Sequence, residues 1–331
     1  MEKLHNLLNL KVMLLAVLAV ALAACGGGGG GGGGSGAEPA VYSGNTSAAL
    51  VTAANAHDLA LDAYSNSNSS SASMPGFAAS LSPVVSRDVG LGFPSSINVM
   101  RSALSLIEQV SVKDAINSSS FAKAIITETE SFPGSCGGTA KMTLSLNDQT
   151  GVFTGNIRYS SYCELEVLLT GDMTMSGQFD FFTEWFDSMT LSYGALRVQA
   201  LGVSATLTGS IEINDFSNLA GVLDMAIRDD ATNEVYQIED MLVAFDTGAG
   251  YLDMILEGRF YDPELGYLDI ETVTELRVYA DDVWPSSGEF IGTGGNNTKV
   301  RFVAFSSTYL IEADTTGDMV YDYSETFNWL Q

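Results

Sequence analysis

The chain has 331 residues, of which 40 are Asp or Glu and 14 are Lys or Arg, and its formal net charge at pH 7 is −26. A surface this acidic repels nucleic acid and anionic lipid, so we exclude a nucleic-acid-binding role. Two explanations of the charge remain. It keeps the protein soluble in crowded or salty surroundings, which we favour, or it binds calcium or a cationic partner.

The first 24 residues have the order of a secretion signal. Lys3 and Lys11 belong to a short polar start, and residues 12–24 form an unbroken apolar run. The run is shorter than the ~20 residues that a transmembrane helix needs, so we expect a cleaved signal rather than a membrane span. It ends in Leu22-Ala23-Ala24-Cys25, where small side chains allow a peptidase to hold the chain extended.

This ending resembles the lipobox of bacterial lipoproteins. The resemblance covers only the signal, and it implies that Cys25 becomes the first residue of the mature chain and carries a diacylglycerol. In lipoproteins of the enteric type an aspartate after that cysteine favours the inner membrane, and Gly26 stands there instead. The resemblance therefore implies an outer-membrane lipoprotein, on the periplasmic face or at the cell surface. Without residues 1–24 the chain keeps 12 Lys and Arg against 39 Asp and Glu, a formal charge of −27.

Residues 25–40 form a tether behind the anchor. Residues 26–34 are all glycine, and Ser35-Gly36 follows. Glycine samples both signs of φ, so this segment holds no fold of its own. As a flexible coil it reaches roughly 15–20 Å. We exclude a phosphate-binding loop, because no strand precedes the glycines and no Gly-Lys-Ser or Gly-Lys-Thr follows them.

Residues 41–130 are predicted to be a helical N-terminal segment. The pattern predicts a helix at Ala48–Tyr64, with N-caps among Asn45, Thr46 and Ser47 and with Leu50, Ala53, Ala54, Leu61 and Tyr64 on one side. Residues 65–75 are rich in Ser and Asn and predict a loop. A second helix is predicted after Ser95-Ser96, where residues 97–110 give two adjoining apolar rows at helical spacing.

Residues 131–331 are predicted to be an antiparallel β domain. From Thr139 onward apolar residues alternate with polar ones, as in Met142, Leu144 and Leu146, and turn residues separate the runs. Almost every link is short, and short links force antiparallel pairing because a parallel crossover needs a dozen or more residues. The count of runs predicts a meander of roughly eleven to fourteen strands.

Several of these runs carry a glycine on the same side as their apolar residues. The glycines are Gly155, Gly171, Gly177, Gly209 and Gly258. Inward glycines indicate sharp bending or the close approach of another backbone. We therefore predict a strongly curved sheet. It is either a barrel or a half-pipe with the N-terminal helix in its mouth or against its concave face.

The mature chain keeps two cysteines besides the anchor. Cys136 lies just before a predicted strand and Cys163 just after the next one, so a hairpin would bring them together. Export places them in an oxidising compartment, and we predict a disulfide between them. The alternative is two separate buried thiols.

Catalytic patterns are sparse. His57 is the one histidine left after the signal, which excludes multi-His metal sites and disfavours a Ser-His-Asp site. Ser120-Phe121-Ala122-Lys123 matches Ser-x-x-Lys, but the companion motifs are missing. The candidate surface site is Glu184, Trp185 and Asp187, although we favour simple packing of this aromatic group on the sheet. The acidic turn at residues 314–318 is typical turn chemistry. We assign no catalytic residue, no metal ligand and no cofactor.

We therefore expect a mainly β protein in which a large curved antiparallel meander follows a small helical segment. In its repeated alternating β pattern the body resembles uncharacterised repetitive-β envelope lipoproteins. We expect a non-enzymatic lipoprotein of the binding or scaffold type that touches the membrane only through its lipid. Its ligand would be an envelope protein, a glycan or a lipid. Two alternatives stay open: an envelope glycan hydrolase using paired carboxylates, and a carrier of an apolar ligand inside a β-barrel.

Overall fold

The computed structural model divides the chain into two compact units, Met1–Ser35 and Gly36–Gln331. The structure describes residues 37–68, 125–164, 167–183, 185–200, 203–216, 220–248, 251–279 and 284–329. All of them lie in the second unit. The predicted signal, Cys25 and most of the tether, the second helix at 97–110 and the Ser-x-x-Lys motif lie outside the described residues.

The described residues form one sheet in which each strand pairs antiparallel with its neighbours in sequence. The strands are β1 Ile126–Pro133, β2 Gly137–Leu146, β3 Val152–Glu164, β4 Val167–Asp180, β5 Trp185–Ala200, β6 Val203–Asp215, β7 Ala220–Asp229, β8 Val235–Gly248, β9 Tyr251–Asp262, β10 Gly266–Tyr279, β11 Ser287–Thr293, β12 Lys299–Phe305, β13 Thr308–Asp314 and β14 Tyr323–Asn328. A 3-10 turn, Gly295–Asn297, joins β11 to β12. The sheet is an open, curved meander, so the half-pipe of the prediction is the form observed. Within the described strands β1 and β14 have one partner each.

The alternation that predicts the strands also decides which face is buried. In β2, Met142, Leu144 and Leu146 are buried while the residues between them are not. Successive side chains of a strand point to opposite faces, so this pattern buries one face of the sheet. The buried residues of the strands form one continuous cluster on that apolar face.

The inward glycines allow neighbouring strands to approach closely. Gly209 and Gly258 have φ values of +138° and +151°. A Cβ on Gly209 would lie 2.1 Å from the carbonyl oxygen of Asp224, and one on Gly258 would lie 2.5 Å from Cα of Met241. The β8–β9 register shifts opposite Gly258, as at a β-bulge. Of the two predicted causes of the glycines, sharp bending and close approach of another backbone, close approach is therefore observed at Gly209 and Gly258.

One helix, α1 at Ala56–Asn68, lies among the described residues. Leu59, Ala60, Ala63 and Tyr64 are buried, and the ring of Tyr64 stacks on Phe302 of β12 at 5.5 Å. The helix therefore packs on the apolar face of the sheet, near β8, β9, β12 and β13. Within the described part of the chain, no helix combines the length and the apolar character that a membrane crossing requires.

The predicted start of this helix at Ala48 is wrong. Tyr267 donates its N–H to the carbonyl oxygen of Ser47 at 2.9 Å and accepts the N–H of Ala49 at 2.8 Å. These bonds hold residues 47–49 extended beside the start of β10, and they leave Leu50 exposed rather than on a helix face. Asn55 then accepts the N–H of Leu59 at 3.0 Å, in the first turn of the helix.

Three strands differ from the prediction. β1 begins at Ile126, before the predicted boundary of the β domain at residue 131, and β11 is a strand that the sequence pattern does not predict. β1 has no apolar alternation to reveal it, because Thr and Glu alternate instead. The sequence pattern predicts two separate strands at residues 189–193 and 196–200, but they form one strand, β5, with a register shift between them.

The predicted disulfide is confirmed. Cys136 and Cys163 are bonded, with Cα atoms 5.1 Å apart. The hairpin β2–β3 brings them together, since Gly137 pairs with Cys163 across the two strands. The bond therefore closes the open end of this hairpin.

Candidate functional site

The surface site predicted at the start of β5 is only partly described. Asp187 is exposed, whereas Glu184 and the side chain of Trp185 lie outside what the structure describes. The neighbouring Phe186 is buried, with its ring 4.9 Å from Phe153 and 5.4 Å from Phe179. Phe186 therefore packs on the sheet, whereas Phe182 of the same segment is exposed.

The turn before β5 is held by one carboxylate. Asp180 accepts the backbone N–H of Phe182 at 2.8 Å and that of Thr183 at 3.3 Å. These hydrogen bonds hold the pKa of the Asp180 carboxyl below its usual value. The acid next to the predicted site thus has a structural role, and we place the candidate functional site elsewhere.

An acidic cleft of about 410 Å³ opens where α1 meets two turns of the sheet. Its carboxylates come from three separate parts of the chain: Asp58 and Asp62 from α1, Glu234 from the β7–β8 turn, and Asp262 and Glu264 from the last residue of β9 and the turn that follows it. Asp58 and Asp62 share one side of α1 because residues four apart on a helix are neighbours. Asn55, His57, Leu61, Tyr236, Pro263 and Leu265 complete the lining.

Asp262 fixes the floor of this cleft. Its side chain is buried and accepts the N–H groups of Glu264 at 2.8 Å and Leu265 at 2.7 Å. The hydroxyl of Tyr42 donates to its backbone oxygen at 2.9 Å. Burial raises the pKa of the Asp262 carboxyl despite the two hydrogen bonds that favour its charged form. The turn therefore holds a carboxyl group in a fixed position.

Asp62 is the most perturbed acid of the cleft. Burial raises its pKa to about 7, and the negative charges of Asp262, Asp58 and Glu234 add to the effect. Burial also raises the pKa of Tyr236, and the nearby charge of Asp62 adds to that shift. The cleft thus keeps a carboxyl that exchanges its proton near neutral pH, a property typical of functional sites.

His57 links α1 to the last strands of the sheet. Its Nε2 atom lies 2.9 Å from the hydroxyl of Tyr309, and its Nδ1 atom lies 3.0 Å from Oδ1 of Asp58. The ring also packs on Phe327, with centroids 4.4 Å apart. Burial, with the charge of Asp58, raises the pKa of Tyr309 to about 12. His57 therefore has bonding partners on both ring nitrogens and holds the helix in place at one end of the cleft.

A second acidic segment, at residues 314–318, is explained by its own backbone. Asp314 accepts the N–H groups of Gly317 and Met319, each at 2.7 Å. Although burial opposes it, these and neighbouring backbone N–H groups keep the pKa of Asp314 below its usual value. This agrees with the turn chemistry predicted from the sequence. Within the described ranges, no group of three or more His, Cys, Asp and Glu residues is arranged to hold a metal ion.

The cleft offers acceptors and one exchangeable proton, so it suits a ligand that carries hydroxyl or ammonium groups. Sequence reasoning missed it. The spacing of Asp58 and Asp62 was the one available signal, and their other partners lie more than 170 residues further along. Comparisons of the chain with protein-family models, curated proteins and solved structures find no match.

Proposed function

We propose that this chain is an outer-membrane lipoprotein of the binding or scaffold type, anchored through Cys25. The observation that carries the proposal is the pairing of the cysteines. The chain has three, and Cys136 is bonded to Cys163, so the one that remains stands in the lipobox-like sequence. Disulfides persist in oxidising compartments outside the cytosol, and the pairing thus supports export, as the signal does.

The body supports a binding role through the acidic cleft. Its carboxylates come from α1 and two turns of the sheet, so ligand contacts would be presented by a rigid scaffold. The tether would hold this body at a distance of roughly 15–20 Å from the headgroups. We propose a glycan or a cationic group of another envelope component as the ligand. A carrier of an apolar ligand would need interior space, whereas the inward side chains of the described strands are buried in one packed cluster.

Labelling tests the anchor directly. In a Gram-negative host fed radioactive palmitate, the wild-type chain should be labelled and should fractionate with the outer membrane. Cys25→Ala should lose the label and move to the soluble fraction. The matched control, Cys136→Ser with Cys163→Ser, should keep the label, since those sulfurs are paired with each other. Tight membrane association of an unlabelled Cys25→Ala chain would contradict the proposal.

Sorting gives a second readout of the same anchor. Gly26→Asp should shift the labelled chain toward the inner membrane in a density gradient, whereas Gly27→Asp should shift it less. Equal distribution of the two variants between the membranes would refute the proposed sorting. It would not affect the test of lipidation by labelling.

A second candidate function is glycan hydrolysis by paired carboxylates in the cleft. It is favoured by the pKa of Asp62, which burial and the nearby carboxylates raise to about 7. A general acid must hold its proton near the working pH, and a second carboxylate must act as nucleophile or base. Asp62→Asn should lower release of reducing ends from envelope glycans by about 100-fold or more. Glu271→Gln, exposed on β10 outside the cleft, is the control. Full activity in Asp62→Asn would remove this candidate.

A further inference from the structure

The edge strand β1 is exposed on both of its faces. Thr127, Glu128, Thr129, Glu130 and Ser131 are all exposed, although they pair along their whole length with β2. Among the described strands β2 is the one neighbour of β1. Within the residues that the structure describes, its outer edge therefore has no strand partner, and the backbone groups on that side are a template for one more strand.

The two glutamates of β1 stand on the apolar face of the sheet. Glu128 lies opposite Leu144 and Glu130 lies opposite Met142, and both of those β2 residues are buried. Residues directly opposite each other in an antiparallel pair share a face. Within the described part of the chain neither glutamate has an ion pair or a side-chain hydrogen bond. The edge thus carries two carboxylates at alternate positions, free to meet cations.

The opposite face of β1 is polar and already bonded within the sheet. The hydroxyl of Thr127 lies 2.8 Å from that of Ser145, and the hydroxyl of Thr129 lies 3.1 Å from that of Thr143. These contacts fix the strand in place. The side chains that select the sequence of an added strand would therefore be the two glutamates rather than the threonines.

The other edge strand, β14, is a poorer site for adding a basic strand. Its Glu325 lies opposite Ile311, also on the apolar face, but accepts the hydroxyl of Tyr323 at 2.6 Å. A second copy of the chain is also a poor occupant of β1, because two β1 edges paired antiparallel about Thr129 would place Glu128 of each copy opposite Glu130 of the other. Like charges placed directly opposite each other destabilise strand pairing.

We propose that β1 accepts an extended, basic segment of a partner protein by strand addition, with Lys or Arg at alternate positions opposite Glu128 and Glu130. Backbone hydrogen bonds would supply the general affinity, and the two carboxylates would select the sequence. This goes beyond the proposed function, since neither the anchor nor the cleft uses this edge. The partner is a protein segment rather than a glycan or a lipid.

Two peptides of equal composition test the selection. One is (Thr-Lys)₄, in which lysines alternate, and the other is (Lys-Lys-Thr-Thr)₂, in which no two lysines are two residues apart and so no pair of them can face both glutamates. Binding to the full chain in mild detergent is measured by fluorescence anisotropy. We expect the alternating peptide to bind about tenfold tighter, because it alone places a lysine opposite each glutamate. It should also slow amide hydrogen exchange in residues 126–133.

Paired variants separate the edge from the general charge of the body. Glu128→Gln with Glu130→Gln should weaken binding of the alternating peptide about tenfold, whereas Glu271→Gln with Glu275→Gln should change it less than about twofold. The control glutamates are also exposed and lie on the internal strand β10. The proposal is overturned by equal affinity for the two peptides, by equal loss in the two double variants, or by no binding of either peptide. None of these readouts depends on lipidation of Cys25.

Discussion

Replacing Asp62 with asparagine should change how the stability of the protein depends on pH. The folded protein holds the Asp62 proton up to about pH 7, whereas an unfolded chain releases it near pH 4. The folded state therefore binds more protons between those values, and its free energy of unfolding falls as pH rises. The contribution of this group is fully present below about pH 4 and lost as pH passes 7. The side chain of the Asp62→Asn variant is neutral throughout and should show no such loss.

The size of the effect follows from the pKa of Asp62. The whole shift of about 3 pH units corresponds to about 4 kcal/mol, since each unit is worth about 1.4 kcal/mol. Between pH 5 and pH 8 about two of those units are crossed, or about 3 kcal/mol. The cleft is open to water, which lowers the expectation to about 2 kcal/mol. The free energy of unfolding of Asp62→Asn, relative to wild type, should rise by that amount over this range.

Urea unfolding at pH 5, 6, 7 and 8 measures this difference. Tryptophan fluorescence is a suitable probe near α1, because Trp284 stacks on Trp329 at 5.1 Å and lies 6.4 Å from Tyr64 of the helix. Asp187→Asn, at an exposed position on β5, removes the same charge without touching the cleft. It should shift unfolding equally at every pH.

A constant difference between Asp62→Asn and wild type from pH 5 to pH 8, within about 0.5 kcal/mol, would refute this reasoning. It would mean that Asp62 is solvated in the folded protein. A matching pH dependence in Asp187→Asn would assign the effect to net charge instead.

The remaining predictions concern the sheet and are measured by the same unfolding assay. Gly209→Ala should lower the free energy of unfolding by about 2–4 kcal/mol, because its Cβ would meet a backbone oxygen at 2.1 Å. Gly194→Ala should lower it by less than about 1 kcal/mol, because a Cβ there meets nothing within 4 Å. Equal costs would show that close approach is not why Gly209 is glycine. Arg277→Ala should lower the urea midpoint clearly more than Arg158→Ala. Arg277 donates to both oxygens of the nearly buried Asp253, at 2.7 and 2.6 Å. Arg158 and its partner Asp172 are both exposed, so their ion pair contributes little. If the loss arises because Asp253 is left without a partner, adding Asp253→Asn to Arg277→Ala should recover part of it. No recovery would argue against this explanation. Cys136→Ser opens a loop between residues 27 apart in sequence and should cost about 3–4 kcal/mol, so an unchanged midpoint would contradict the prediction.

The local pattern of the sequence determined the antiparallel sheet and its curvature. Alternation in β2 decides which face is buried, because successive side chains point to opposite sides. Inward glycines such as Gly209 and Gly258 mark the places where another strand comes too close for a Cβ. The disulfide followed from the same local reasoning, since a hairpin alone brings Cys136 to Cys163.

Tertiary structure decided where the helix begins and where the acidic cleft lies. Residues 47–49 have helical composition, yet Tyr267 offers their backbone groups partners more than 200 residues away. The cleft likewise joins α1 to turns whose acids look like ordinary turn residues in the sequence. The raised pKa of Asp62 arises from burial and from Asp262, neither of which its neighbours along the chain reveal. Side-chain periodicity records which face of an element is buried, but the elements that meet there are chosen by contacts between distant parts of the chain.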